Sequence, residues 1–121
     1  MASRLTCALL CLLFLAAQPG FSYGHAFPDH SDPRVGSTIS AAPGQVRIWF
    51  TAALEPAFST ITVQDAAGKK VDRGDGRVNP GDPTLLEAGL SPLPSGTYKV
   101  FWNVAARDGH RTMGDFTFVI Q

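Results

Sequence analysis

Apolar and polar residues alternate along several stretches of this chain, as they do in a β-strand that buries one face. In residues 45–50 every second side chain is strongly apolar, and the longest such run covers residues 98–105. The pattern recurs at residues 59–64 and 114–120. It predicts four strands, with 98–105 central in its sheet and 114–120 pairing with it as a hairpin.

Turn-forming residues separate these strands, at 41–44, 65–68 and 92–96. Residues 84–90 predict a further strand, while residues 25–39, spaced by Pro and Ser, suit an extended arm at a sheet edge.

Residues 69–83 are rich in Gly, Asp and Pro and predict a long loop with a short strand near Val71. Short strands at turn-separated intervals, without a helix-period stretch after residue 24, indicate an all-β domain, a small β-sandwich or Greek-key barrel.

The first residues predict a secretory signal peptide at 1–24. Arg4 gives a positive start, residues 8–17 are apolar, and Ser22 and Gly24 supply the small residues that a signal peptidase requires. The apolar run is shorter than the roughly 20 residues that span a bilayer. Both cysteines lie within this segment, so the predicted mature domain, residues 25–121, has no thiol for catalysis or metal binding.

The charge of the mature domain is close to neutral. Of the ten basic residues only Arg4 precedes His25, which leaves nine against all ten acidic residues. Clustered Lys and Arg are expected of a protein that binds nucleic acid or an anionic membrane. The densest basic stretch, around Lys69 and Lys70, is interrupted by Asp72 and Asp75, so we expect no nucleic-acid partner.

Cleavage after Gly24 would make His25 the first residue of the mature protein. A free N-terminal amine and the Nδ1 atom of the same histidine close a six-membered ring on one metal ion. An internal histidine cannot do this, because its backbone nitrogen is an amide. Signal cleavage would therefore create a metal chelator.

A second candidate ligand pair lies in the loop of the last predicted hairpin. Residues two apart in extended chain point to the same side, so Asp108 and His110 can converge while Gly109 lets the backbone bend. Alone, Asp-Gly-His is more often a turn with a surface histidine. Together with His25 it offers three nitrogens and one oxygen, a set that suits tetragonal Cu(II), or zinc in a tetrahedron.

Several separated stretches, in order, resemble the CopC/PcoC family of periplasmic copper-resistance proteins. They are His25-Ala26-Phe27, Asp32-Pro33-Arg34-Val35-Gly36-Ser37, the run from Leu54 to Val63, the run from Gly96 to Trp102, Asp108-Gly109-His110, and Gly114-Asp115-Phe116-Thr117-Phe118. The resemblance covers nearly the whole mature chain, and several motifs in the right order are more specific than any one of them.

The resemblance implies a seven-stranded Greek-key β-barrel of immunoglobulin-like type. It also implies an exported, periplasmic protein that binds one Cu(II) ion per mature chain through His25 with its amine, Asp108 and His110. The expected role is buffering, storage or transfer of copper in copper homeostasis and resistance. The expected partners are the copper ion and an inner-membrane copper transporter or another copper carrier, and the protein itself is expected to be a monomer.

One departure from that family concerns Cu(I). Some members carry a second, methionine-rich site, whereas Met113 is the only methionine of this mature chain. Thioethers are the ligands that Cu(I) selects, so we expect the Cu(II)-only kind. We expect Met113 to pack against the hairpin, His30 to lie at the surface pointing away from His25, and Trp49 and Trp102 to belong to the core.

Two other functions remain open. An N-terminal histidine joined by a second histidine also resembles the copper brace of lytic polysaccharide monooxygenases, which would make the protein a copper-dependent oxidative enzyme. Short loops, and Asp108 in the position that oxygen would need, argue against catalysis. An immunoglobulin-like interaction module without metal is the third hypothesis.

Overall fold

The computed structural model describes residues 25–121. The predicted signal peptide, residues 1–24, lies outside the described residues. No helix within 25–121 is long and apolar enough to cross a membrane. The strands are β1 (Pro28–Asp32), β2 (Thr38–Ile39), β3 (Gln45–Phe50), β4 (Thr60–Asp65), β5 (Arg77–Val78), β6 (Leu85–Gly89), β7 (Gly96–Ala105) and β8 (Arg111–Ile120), with one 3₁₀ turn at Pro56–Phe58.

The strands form two four-stranded sheets that face each other. Sheet 1 has the order β1-β3-β6-β5 and sheet 2 the order β2-β8-β7-β4. All neighbouring strands are antiparallel except β2 and β8. The all-β, immunoglobulin-like sandwich is therefore confirmed, although eight strands are defined among the described residues instead of seven, two of them only two residues long.

The core lies between the sheets because the predicted alternation sends every second side chain inward. Fully buried side chains come from both sheets: Val46 and Ile48 on β3, Leu86 on β6, Val63 on β4, Val100 and Val104 on β7, and Phe118 on β8. The four strands predicted from alternation are all present within one or two residues, apart from longer ends on β7 and β8.

The β7–β8 hairpin is the longest pairing in the fold. Its register runs without interruption from Gly96 opposite Ile120 to Ala105 opposite Arg111. Inside it, Trp102 lies against Gly114, where a Cβ atom would come within 2.6 Å of the indole ring. The Trp102 ring also meets Phe50 edge-on at 5.3 Å, so a tryptophan joins the hairpin to sheet 1.

Two expectations are wrong. No strand forms around Val71, which lies between single bridges at Lys70 and Asp72, and the short strand of this section is β5 instead. Trp49 does not belong to the core, because it shares the outer face of β3 with Arg47. The inner face is taken by more regularly spaced apolar residues.

Asp72 links the two sheets through its buried carboxylate. Its side chain is 1% exposed. One oxygen accepts the backbone N–H of Val63 in sheet 2 at 2.9 Å, and the other that of Gly74 at 3.0 Å. The backbone of Asp72 itself bridges to Leu90, directly after β6 of sheet 1. One side chain therefore fixes the position of a long loop between the sheets.

We expect Asp72→Ala to lower the free energy of unfolding by about 1–3 kcal/mol, because it leaves a buried backbone donor without its acceptor. Asp72→Asn keeps one acceptor oxygen and should lose less. Chemical denaturation of the metal-free protein measures both. Asp115→Ala, at an exposed position of β8, is the control and should stay within about 0.5 kcal/mol of the parent. Equal stability of the Asp72 and Asp115 variants would contradict this role.

Candidate metal centre

The loop after β7 brings Asp108 and His110 to the end of the hairpin. It closes through two backbone bonds, from Gly109 N to Ala106 O at 2.9 Å and from Ala106 N to His110 O at 3.0 Å. Gly109 has φ +89°, in the left-handed region that glycine adopts without a Cβ clash. The tight turn follows from the Asp-Gly dipeptide, and it orients the side chains of Asp108 and His110 towards each other.

Asp108 and His110 contact each other twice. One carboxylate oxygen accepts the backbone N–H of His110, and the other lies 3.0 Å from His110 Nδ1. Two hydrogen bonds from His110 hold the pKa of Asp108 below its usual value of 3.8. The backbone N–H has the larger effect and the ring the smaller one. The carboxylate is therefore anionic at neutral pH. With Nδ1 facing this carboxylate, Nε2 is the ring nitrogen left for a metal ion.

His25 lies beside this pair although it is far away in sequence. Its ring stacks on that of His110, with centroids 4.5 Å apart and planes 20° from parallel. Phe27 also lies parallel to the His25 ring, at 6.0 Å. The structure therefore brings together the three side chains that the sequence predicted as ligands, His25, Asp108 and His110, at one exposed end of the sandwich.

The stacked rings are not yet in a metal-binding arrangement. Among residues 25–121, no three side chains of His, Cys, Asp or Glu already form a group that could hold a metal ion. The stacking explains this result, since a metal ion binds an imidazole in the plane of its ring and two nearly parallel planes do not meet at one ion. The imidazoles and the carboxylate are of the kinds that copper binds, but at least one ring must turn before both can share an ion.

Two further residues considered in the sequence lie elsewhere. The His30 ring stacks on Trp49 at 4.5 Å, and its Nδ1 is 2.8 Å from Asp29 Oδ2. Met113 lies opposite Asn103 within the β7–β8 hairpin and is 67% exposed. The structure does not place either side chain in the group formed by His25, Asp108 and His110.

Two threonines that no sequence motif marks contact the arm carrying His25. Thr112 Oγ1 donates to Ala26 O at 2.6 Å, and Thr51 Oγ1 accepts the backbone N–H of Phe27 at 3.1 Å. These partners are 86 and 24 residues apart. No local pattern marks such a contact.

Comparison with known proteins identifies the family. The CopC domain model matches residues 29–121, a range that includes Asp108 and His110 and begins after His25. The chain belongs to the CopC family. The family resemblance expected from the sequence motifs is thus confirmed.

Relatives of this CopC domain include proteins named for copper transport and copper resistance. The chain is 32% identical over 113 residues to the copper transport protein CutJ of Bacillus subtilis, across 93% of this chain but only 21% of that protein. Among solved structures, CopC from Methylosinus trichosporium OB3b has a TM-score of 0.71 and 29% identity, covering 80% of this chain and 94% of that one.

PcoC, described as a methionine-rich copper resistance protein from Escherichia coli, has a TM-score of 0.69 and 28% identity, covering 81% of this chain and 100% of that one. The present sequence contains two methionines, Met1 and Met113. It therefore shares the fold of PcoC without the methionine content.

The lowered pKa of Asp108 can be tested by NMR titration of its carboxyl carbon in the metal-free protein. His110→Ala removes the ring hydrogen bond and keeps the backbone one, so the pKa should rise part of the way towards 3.8. Because folding lowers this pKa, ionised Asp108 favours the folded state above pH 3.8, and that contribution is lost as the pH falls through the lowered value. His30→Ala is the control and should leave the Asp108 titration unchanged. An unaltered Asp108 pKa in His110→Ala would refute the contact.

Proposed function

We propose that this protein, once cut after Gly24, holds one Cu(II) ion through the amine and Nδ1 of His25, a carboxylate oxygen of Asp108, and His110. Its role is copper buffering, storage or transfer in copper homeostasis and resistance. The observation that carries the proposal is the contact of the His25 and His110 rings at 4.5 Å, with Asp108 at 3.0 Å from His110.

The donor set supports Cu(II) over other metal ions and over Cu(I). Three nitrogens and one carboxylate oxygen suit a tetragonal ion, and Cu(II) lies at the top of the divalent affinity order. Cu(I) prefers thiolates and thioethers, and residues 25–121 contain no cysteine and one methionine. Binding displaces protons from the amine and the imidazoles, so it should weaken as the pH falls.

The exposure of the site suits exchange of the metal. His25, Asp108 and His110 are all exposed, so a partner can approach the ion without unfolding the sandwich. Asp108 supplies the fourth donor and thereby occupies the position that oxygen would need in a copper oxygenase. We infer a carrier without catalytic turnover, and sustained oxygen uptake by the copper-loaded protein with ascorbate would overturn this.

Export to the periplasm follows in this proposal from the signal peptide at residues 1–24. The proposed partner is an inner-membrane copper transporter or another copper carrier. Support comes from CutJ, a copper transport protein in which the matched region makes up only 21% of the length. A related region thus forms part of a larger protein named for copper transport, and we propose that the present domain is a monomer.

The decisive test adds one pyroglutamate residue before His25 of the cleaved protein. The amine chelate ring then cannot form, because the His25 nitrogen becomes an amide and the added residue brings no free amine of its own. We expect Cu(II) affinity to fall by more than about 100-fold, since loss of an outer-shell partner alone costs roughly 10- to 100-fold. The electron paramagnetic resonance spectrum should also change, because one nitrogen donor is lost.

His30→Ala is the matched control for this test, since it removes a histidine that stacks on Trp49. It should keep the parent affinity and spectrum. If the added pyroglutamate leaves both unchanged, the amine is not a ligand and the proposed site is wrong.

A further inference from the structure

The segment that carries His25 is held by hydrogen bonds to its backbone. Phe27 N donates to Thr51 Oγ1 at 3.1 Å, and Thr51 N donates to Phe27 O at 2.8 Å. Thr112 Oγ1 donates to Ala26 O at 2.6 Å, a shorter bond than either. Ala26 itself is fully buried, so its carbonyl has little access to water as an alternative partner.

Thr112 connects the two halves of the proposed site directly. It lies on β8 two residues after His110, and it bonds the residue that follows His25. The hydroxyl of one side chain therefore sets the position of the arm relative to the loop that carries Asp108 and His110. Thr51, directly after β3, holds the same arm from sheet 1.

Copper affinity depends on the fraction of molecules in which the arm lies against the sandwich. When only a fraction of the molecules has the binding-competent arrangement, the apparent dissociation constant rises by the inverse of that fraction. Chain termini are poorly ordered unless tertiary contacts hold them. An arm that leaves the sandwich must be reordered by the metal, and this ordering reduces the affinity.

We propose that Thr112, assisted by Thr51, is a positioning residue for copper: it holds the His25-Ala26-Phe27 arm so that the amine and imidazole of His25 face Asp108 and His110. This inference rests on the proposed function and adds to it two residues that do not touch the metal. Both threonines act through the arm, so their effect must disappear when the arm offers no ligand.

The test replaces Thr112 with Val, which has the same shape and lacks the hydroxyl. We expect Cu(II) affinity to fall by about tenfold, the size expected when a buried carbonyl loses a hydrogen-bond donor. The spectrum of the saturated protein should match that of the parent, because all copper ligands remain. Thr112→Ser restores the hydroxyl and should recover most of the affinity, whereas a role in packing alone would be served better by Val.

Thr51→Val provides an independent variant in case Thr112→Val folds poorly, and it should weaken copper binding in the same direction. Thr117→Val is the matched control, since Thr117 is an exposed threonine of the same strand β8. It should keep the parent affinity. Parent affinity in both Thr112→Val and Thr51→Val would overturn the inference.

A double-mutant comparison separates this inference from the proposed function. In a protein with His25→Ala and a glycine added before it, the arm has neither the imidazole nor the chelating amine. Thr112→Val should then change the remaining Cu(II) affinity by less than about twofold, because independent sites add. A tenfold loss in this background would show that Thr112 acts elsewhere.

The background protein also tests the proposed site itself. If it binds Cu(II) as tightly as the parent, His25 is not a ligand and the proposed function is wrong, whatever the effect of Thr112→Val. If it binds weakly while Thr112→Val alone has no effect in the parent, only the positioning role fails.

Discussion

A histidine can offer both its amine and its imidazole to one metal ion only at the start of a chain, which is usually the least ordered part of a domain. This constraint explains why the contacts of the arm matter so much in this fold. Ala26 is buried, and Phe27 exchanges hydrogen bonds with Thr51, directly after β3 of sheet 1. The proposed chelator therefore sits on an anchored segment, in which Ala26 is buried while His25 and Phe27 are exposed.

The other half of the site depends on the β7–β8 hairpin. Its strands pair without a bulge over ten residues each, and Trp102 lies across Gly114 near the loop end. This rigid frame carries a short turn in which Asp108 contacts both the backbone and the ring of His110. A firmly held carboxylate and imidazole beside an exposed surface suit the proposed role of binding copper and releasing it to a partner.

Relatives of this CopC domain differ in length and in methionine content. CutJ contains a related region as about one fifth of its length, whereas PcoC shares the fold and is described as methionine-rich. The present chain has the fold with a single methionine after residue 24. The part of the site built from Asp108 and His110 lies inside the family match, while His25 lies before it. In the proposed site, the anchoring of the arm decides whether His25 can share a metal ion with Asp108 and His110.

The sequence alone determined the all-β class, the four main strands and the hairpin, because two-residue alternation and turn chemistry are local properties. It named the three candidate ligands from the predicted cleavage site and the Asp-Gly-His loop. It did not show the two-residue strands β2 and β5, whose pairing depends on neighbours distant in sequence. It also misplaced Trp49, since a tryptophan at an outward position can still be half-buried by Arg47 and His30. The contact of His25 with His110 and the bond from Thr112 to Ala26 join residues about 85 apart, and only the tertiary structure could decide them.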